Sequence, residues 1–160
     1  MLAPQPWLII TADIGTLDAM MTVMHAAFDP QFGEAWTSAQ LASLLAMPGT
    51  RLRLVLQADR PLGFYAARCA AGESELMLLA VVPEARRCGI GQKLLDDWLQ
   101  WGNALGVSEY FLEMRADNPA RALYVQHCFS ECGRRPQYYL GKDGIKRDAI
   151  TMRYSPTEPK

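Results

Sequence analysis

The spacing of hydrophobic positions changes several times along this chain, and each change marks a predicted element. Trp7–Thr11 reads as a short apolar strand. From Asp13 to Phe28 the period is helical, with Leu17, Met20, Met21, Met24 and Phe28 on one face; the methionine stripe reads as core packing. Asp29–Trp36 holds Pro30 and Gly33 and reads as a loop. Thr37 caps a second helix that runs to Met47 and stops at Pro48-Gly49. Arg51–Gln57 then alternates charged and apolar residues, as a half-exposed strand does, and Leu62–Ala70 returns as its hairpin partner after Asp59-Arg60-Pro61. Glu75–Val82 is a further strand. Ile90, Leu94, Leu95, Trp98, Trp101 and Leu105 mark a long amphipathic helix ended by Gly106. The rest reads as a strand at Ser108–Arg115, a helix at Pro119–Phe129, and strands at Arg134–Leu140 and Ala149–Tyr154 joined through Gly141–Gly144.

The order β-α-α-β-β-β-α-β-α-β-β excludes a regular βαβ repeat. It predicts an α/β (α+β) fold with a mixed central sheet of about six or seven strands and helices on both faces. A chain of 160 residues, half of them hydrophobic, suits a single domain over 1–154, with Ser155–Lys160 as a polar tail. A net charge of −1 argues against a nucleic-acid partner, which needs a basic face. No apolar run approaches the ~20 residues of a membrane helix, and the start lacks the pattern of a secretory signal. A soluble cytoplasmic protein, monomeric or weakly dimeric, is expected. Four cysteines, Cys69, Cys88, Cys128 and Cys132, are too sparse for a disulfide scaffold and lack the paired spacing of a zinc site. Free thiols and no metal are expected.

Chemistry gathers at Val81-Val-Pro-Glu-Ala-Arg-Arg-Cys-Gly-Ile-Gly-Gln-Lys93, between a buried strand and a helix start. A helix start carries unpaired N–H groups and partial positive charge, which suit phosphate. Gly89 and Gly91 allow close approach, while Arg86, Arg87 and Lys93 add charge. The dinucleotide fingerprint fails because Leu94 stands three residues after Gly91, and the P-loop register is absent. A pyrophosphate cradle is the functional reading; the residues alone also allow a glycine turn before a surface helix.

The pattern Arg86-x-x-Gly89-x-Gly91 resembles the acetyl-CoA pyrophosphate loop of the GNAT N-acetyltransferases. Leu112-Glu113-Met114-Arg115-Ala116-Asp117-Asn118-Pro119-Ala120-Arg121-Ala122-Leu123-Tyr124 resembles that family's strand followed by an Asn-headed helix with a tyrosine. With Arg134-Arg135-Pro136-Gln137-Tyr138-Tyr139 and Asp148-Ala149-Ile150-Thr151-Met152, the likeness extends from about Glu75 to Tyr154 and is similar to the RimI-type branch, which acetylates protein N-terminal amines. One departure is Cys128 where the family usually has glycine, in Tyr124-Val-Gln-His-Cys128-Phe129. The resemblance implies acetyl-CoA as co-substrate and a splay between the fourth and fifth strands that holds its pantetheine arm. Implied contacts are Leu79, Ala80, Val81 and Val82 on the strand; Arg86, Arg87, Cys88, Gly89, Ile90, Gly91, Gln92 and Lys93 on the loop; and Asn118, Ala122 and Tyr124 beyond.

Acetyl transfer from a thioester needs an amine without its proton and a proton for the departing thiolate. The resemblance implies Glu113 as the base, with Glu75 ranked second, and Tyr124 as the acid. The residues alone also allow a solvated Glu113–Arg115 pair and a core tyrosine. Asn118 and Pro119 read as N-cap and first helical residue. For the acceptor, the resemblance points to Phe32, Glu34 and Trp36 on the inter-helix loop and to Tyr138 and Tyr139 near the end. Aromatics and a carboxylate there suit a short positively charged N-terminus; Trp36 and Tyr139 as core closure fits as well. The expected acceptor is a protein N-terminal amine, possibly ribosomal, with a small amine or a non-catalytic CoA sensor as rivals.

Overall fold

A computed structural model describes residues 6–156. Strand β1 (Leu8–Thr11) leads to helices α1 (Leu17–Ala27) and α2 (Ser38–Leu45). Strands β2 (Thr50–Gln57), β3 (Arg60–Ala70) and β4 (Glu73–Val81) follow, then α3 (Ile90–Ala104), β5 (Glu109–Arg115), α4 (Arg121–Gln126), β6 (Phe129–Leu140) and β7 (Lys146–Tyr154). They build one sheet in the order β1-β2-β3-β4-β5-β7-β6. Every neighbouring pair is antiparallel except β4–β5. The residues predicted for the tail begin as irregular chain at Ser155, and 157–160 lie outside the described residues, as do 1–5 of the domain.

Helix α1 buries Met20, Val23 and Met24, one to two turns of a single face, and packs on β3 and β4. Helix α3 also packs on β3 and β4, through Ile90, Leu94, Leu95 and Trp98. Each such fully buried side chain contributes about 1.5–3 kcal/mol relative to exposure. The approach of α3 is close: a Cβ at Gly63 would meet the Ala80 carbonyl at 2.9 Å and Ile90 at 3.2 Å. Trp98 closes the interior with an edge contact to Tyr110 at 5.4 Å and donates from its indole N–H to Ser74 at 2.9 Å.

The parallel ladder is short. It runs from Glu73↔Glu109 to Leu76↔Leu112 and stops. Beyond it Glu113, Met114 and Arg115 pair with β7, while β4 stays with β3. At the parting point β4 carries a bulge: Ala66 faces Leu78 and Ala67 faces Leu76, leaving Met77 as the extra residue. A bulge bends its strand and increases its twist. The splay implied by the resemblance is thus present, and it opens a wedge between the two strands.

Three elements depart furthest from the sequence expectation. Helix α4 covers only Arg121–Gln126 rather than Pro119–Phe129, because Asn118–Ala120 form a turn and Cys128 leaves the helical region at φ +66°. Strand β6 starts at Phe129 instead of Arg134, and β7 at Lys146 instead of Ala149. As the outermost strand β6 is mostly exposed, so no period-2 hydrophobic signal marks it. Among the described residues no helix is long and apolar enough to cross a membrane.

Candidate active site

Two clefts meet at the β4–β5 splay. One of about 340 Å³ is lined by the loop before α2 and by Met77, Glu113 and Tyr139. The other, of about 880 Å³, runs past Val81, Arg87, Gly89, Gly91 and Ala122. They share Phe28, Glu34, Leu79, Arg115, Asn118 and Tyr124, so the two clefts adjoin at that point.

The larger cleft ends at the start of α3. A 3-10 turn at Pro83–Ala85 leads out of β4, after which Arg87 and Gly89 both take left-handed backbone, φ +61° and +85°. Glycine adopts that conformation freely, whereas Arg87 bears a strain of about 1–3 kcal/mol. Nothing lies within 4 Å of a Cβ placed at Gly89, so the space above it is open. Gly91 serves helix packing instead. A Cβ there would come within 3.1 Å of Leu123, and its absence lets α3 start against α4. The N–H groups of the first helical turn are left without helical partners by geometry alone.

The predicted loop residues divide. Leu79, Ala80, Val81, Arg86, Arg87, Gly89, Gly91, Gln92, Asn118, Ala122 and Tyr124 line the larger cleft. Val82 and Ile90 are buried in the core beneath it, and Cys88 and Lys93 stand exposed outside its lining. Arg86 lines the cleft but is otherwise engaged. Its guanidinium donates to the carbonyls of Val81 at 3.2 Å and Ala27 at 2.9 Å, which ties the loop to the end of α1.

Tyr124 sits where the clefts meet, 7% exposed, and its hydroxyl has no hydrogen-bond partner among the described residues. Burial pushes its ionisation above the ordinary tyrosine range, so the group holds its proton. Glu113, opposite Thr151 on β7, lines the smaller cleft. Its carboxylate lies 3.4 Å from Arg135 Nε. The Glu113–Arg115 pair allowed by the sequence does not form. Glu75 lies outside both clefts, opposite Phe111 in the parallel ladder. It keeps an open surface, yet desolvation raises its carboxyl above the usual range, reinforced by the charge of Glu113 and opposed by Arg135.

Of the acceptor candidates, Glu34, Trp36 and Tyr139 line the smaller cleft, while Phe32 lines the larger. Burial lifts the Tyr139 phenol to about 12, helped by the negative charges of Glu113 and Glu34. Desolvation also raises the Glu34 carboxyl, against the pull of Arg115. Tyr138 lines neither cleft; it is 53% exposed beneath the Arg135 guanidinium, 5.0 Å from the ring centroid. Asn118 does not occupy the N-cap, which is Ala120. Its side chain instead accepts from the Ala120 N–H at 2.9 Å and fixes the turn before α4.

Arg115, which the sequence offered only as a solvated partner of Glu113, has other partners. Only 6% exposed, it donates to Glu34 at 2.7 Å, pairs with Asp117 and lies 3.5 Å over the Phe32 ring. Glu34 is 81 positions away in the chain, so no local spacing reveals the pair. Arg135, Met77 and Gln40 were likewise missed. Among the described residues no cluster of three metal-ligating side chains occurs, and all four cysteines are free thiols.

With this arrangement in view, comparison with known proteins is decisive for the family. The sequence model of the Acetyltransferase (GNAT) family matches residues 18–129. The chain belongs to the GNAT family of acetyltransferases. Among curated relatives, the ribosomal protein bS18-alanine N-acetyltransferase of Haemophilus influenzae is 30% identical over 98 residues, 61% of this chain and 67% of that protein. The enzyme of the same name from Escherichia coli K12 is 37% identical over 90 residues, covering 56% of this chain and 60% of that one. The crystal structure of the Escherichia coli ribosomal-protein-S18-alanine N-acetyltransferase superposes with a TM-score of 0.83 at 26% identity, over 97% of this chain and 99% of that chain. This GNAT chain therefore has RimI-type relatives by sequence and by fold.

Proposed function

We propose that this GNAT enzyme transfers acetyl from acetyl-CoA to a protein N-terminal α-amine, in the manner named for its relatives, with a ribosomal-protein N-terminal alanine as the first candidate acceptor. The observation that carries the reading is the junction of the two clefts. The larger begins at a glycine-bearing helix start suited to pyrophosphate, the smaller contains Glu113, and Tyr124 stands where they meet.

Acetyl-CoA supplies an acyl thioester. The open backbone at Gly89 and the free N–H groups at the start of α3 fit its pyrophosphate, with Arg87 adding charge, and Leu79–Val81 on the splayed strand offer backbone to its arm. Glu113 takes the proton from the acceptor ammonium, directly or through a water, so that the amine has a lone pair for attack. Tyr124, kept protonated by burial, gives its proton to the sulfur as the C–S bond breaks. Glu34, Trp36 and Tyr139 hold the acceptor's first residue against the splay. Transfer is direct, and Cys88, outside the clefts, takes no acyl group. The setting for this chemistry is the cytoplasm, where ribosomal proteins are made.

A thiol-release assay tests the proposal with an N-terminal alanine peptide, other N-terminal peptides and small amines such as polyamines. Alanine peptide should be preferred. Glu113→Gln should lower kcat by roughly 10²–10⁴ with acetyl-CoA affinity kept, and the deficit should shrink at high pH where free amine exists. Preference for a small amine would move the acceptor class, and full activity of Glu113→Gln near neutrality would move the base to Glu75 or to bulk water.

A further inference from the structure

Three irregular segments lie against one another beside the clefts: 29–36 before α2 and 116–120 before α4, which also contribute to the cleft lining, and 141–145 between β6 and β7, which does not. None of the three is part of a strand ladder. Arg147, the second residue of β7, joins all of them. Its guanidinium lies 4.9 Å from the Phe32 ring centroid in the first segment. Nε reaches Asp117 in the second at 3.2 Å. Nη2 reaches Asp143 in the third at 2.7 Å, and Nη1 donates to the Asp143 carboxylate at 3.2 Å and the Ile145 carbonyl at 3.3 Å.

The clamp has a second tier. Arg115 lies over the same Phe32 ring and shares Asp117, linking both to Glu34. The first and third segments also touch directly: Lys142 N–H donates to the Gln31 carbonyl at 2.7 Å, and the Gln31 amide donates to Asp143 at 2.7 Å. Gly141 is sized for this. A Cβ there would stand 2.5 Å from Asp143 Oδ1 and 2.7 Å from Arg147 Nη1. Arg147 lines neither cleft, and its side chain is 15% exposed. Its rung in the β6–β7 ladder, however, is shared with Tyr139, which lines the smaller cleft.

We propose that Arg147 is a positioning residue: by clamping the three segments together it sets the shape of the acceptor wall, and so acceptor affinity, without touching the acceptor. The proposal rests on the reading that the smaller cleft receives the acceptor. A planar fork with five donors can serve two carboxylates, a carbonyl and a ring at once, which a lysine ammonium cannot. Loops without ladder bonds open locally at low cost unless something of this kind ties them.

The test uses the full chain with Arg147→Gln, Arg147→Lys and Gly141→Ala, the last wedging a methyl into the clamp from the side. In Arg147→Gln and Gly141→Ala, KM for an N-terminal alanine peptide should rise about tenfold, with kcat less affected and acetyl-CoA affinity within about twofold. Hydrogen exchange should quicken together at 29–36 and 141–145 while the central strands stay protected. Arg147→Lys should stay close to Arg147→Gln, because charge without the fork does not close the clamp. Unchanged KM in folded Arg147→Gln and Gly141→Ala, wild-type behaviour of Arg147→Lys, or exchange that quickens throughout the sheet would each overturn it. If the wild-type protein acetylates no N-terminal peptide, the acceptor reading is what fails. The exchange result then decides the clamp alone: joint opening of both segments supports it, and opening of one or neither overturns it.

Discussion

Cys128 offers a direct measure of how much this chain gives up at a turn that serves the site. The residue ends α4, the helix that carries Tyr124, and stands at φ +66° immediately before β6. Its backbone is fully used: the N–H bonds the Val125 carbonyl at 3.2 Å, and the carbonyl accepts from Ser155 at 2.9 Å. The chain therefore cannot relax out of the left-handed region without losing both. An L-residue there costs about 1–2 kcal/mol, and glycine would recover it at the expense of about 0.5–1 kcal/mol of extra chain entropy lost on folding. The Cys128 side chain is exposed, so its removal forfeits little burial. Cys128→Gly should accordingly stabilise the protein by about 0.5–1 kcal/mol, a rise of roughly 1–4 °C in Tm for a domain of this length. Cys128→Ala is the control, since it removes the sulfur and keeps the strain. Urea unfolding followed by tryptophan fluorescence, with calorimetry for Tm, reads the difference. If glycine is no more stable than alanine, left-handed strain is not what Cys128 contributes, and the reasoning is refuted.

Two further outcomes are expected. Gly89→Asp places a side chain at φ +85° and a negative charge in the open space above the helix start, so acetyl-CoA affinity should fall more than tenfold, above about 1.4 kcal/mol, and calorimetric titration with a folded variant checks it. Asp143 is held well below the usual carboxylate range, first by its hydrogen bonds with Arg147, then by the Ile145 N–H and Gln31. A depressed carboxyl adds stability that is complete above the unfolded value of 3.8 and lost as pH falls through the folded one. Asp143→Asn should therefore lose less stability than the wild type on acidification from neutral pH, as urea midpoints across that range will show; parallel curves would remove Asp143 from the clamp.

Element types and their order were legible in the sequence because they rest on local physics. The helical period of Leu17–Phe28 and Ile90–Leu105, and the alternation of Arg51–Gln57, express side-chain directions set within a few residues. The glycine-bearing helix start was readable for the same reason: Gly89 and Gly91 each stand where a turn or a close approach requires glycine. What the sequence alone could not decide was anything fixed by partners far along the chain. Only Arg134–Leu140 of β6 was read as strand and its first residues from Phe129 were not, since an edge strand open to water has no buried face to advertise. That β7 lies between β5 and β6, that β4 and β5 part after Leu76↔Leu112, and that the two clefts adjoin at Tyr124 all depend on packing between distant elements. Arg115 and Arg147 show the limit most clearly. As sequence they are charges at the ends of strands, and only the folded chain brings Phe32, Glu34, Asp117 and Asp143 around them, because a buried guanidinium takes whatever carboxylates and rings the tertiary structure delivers.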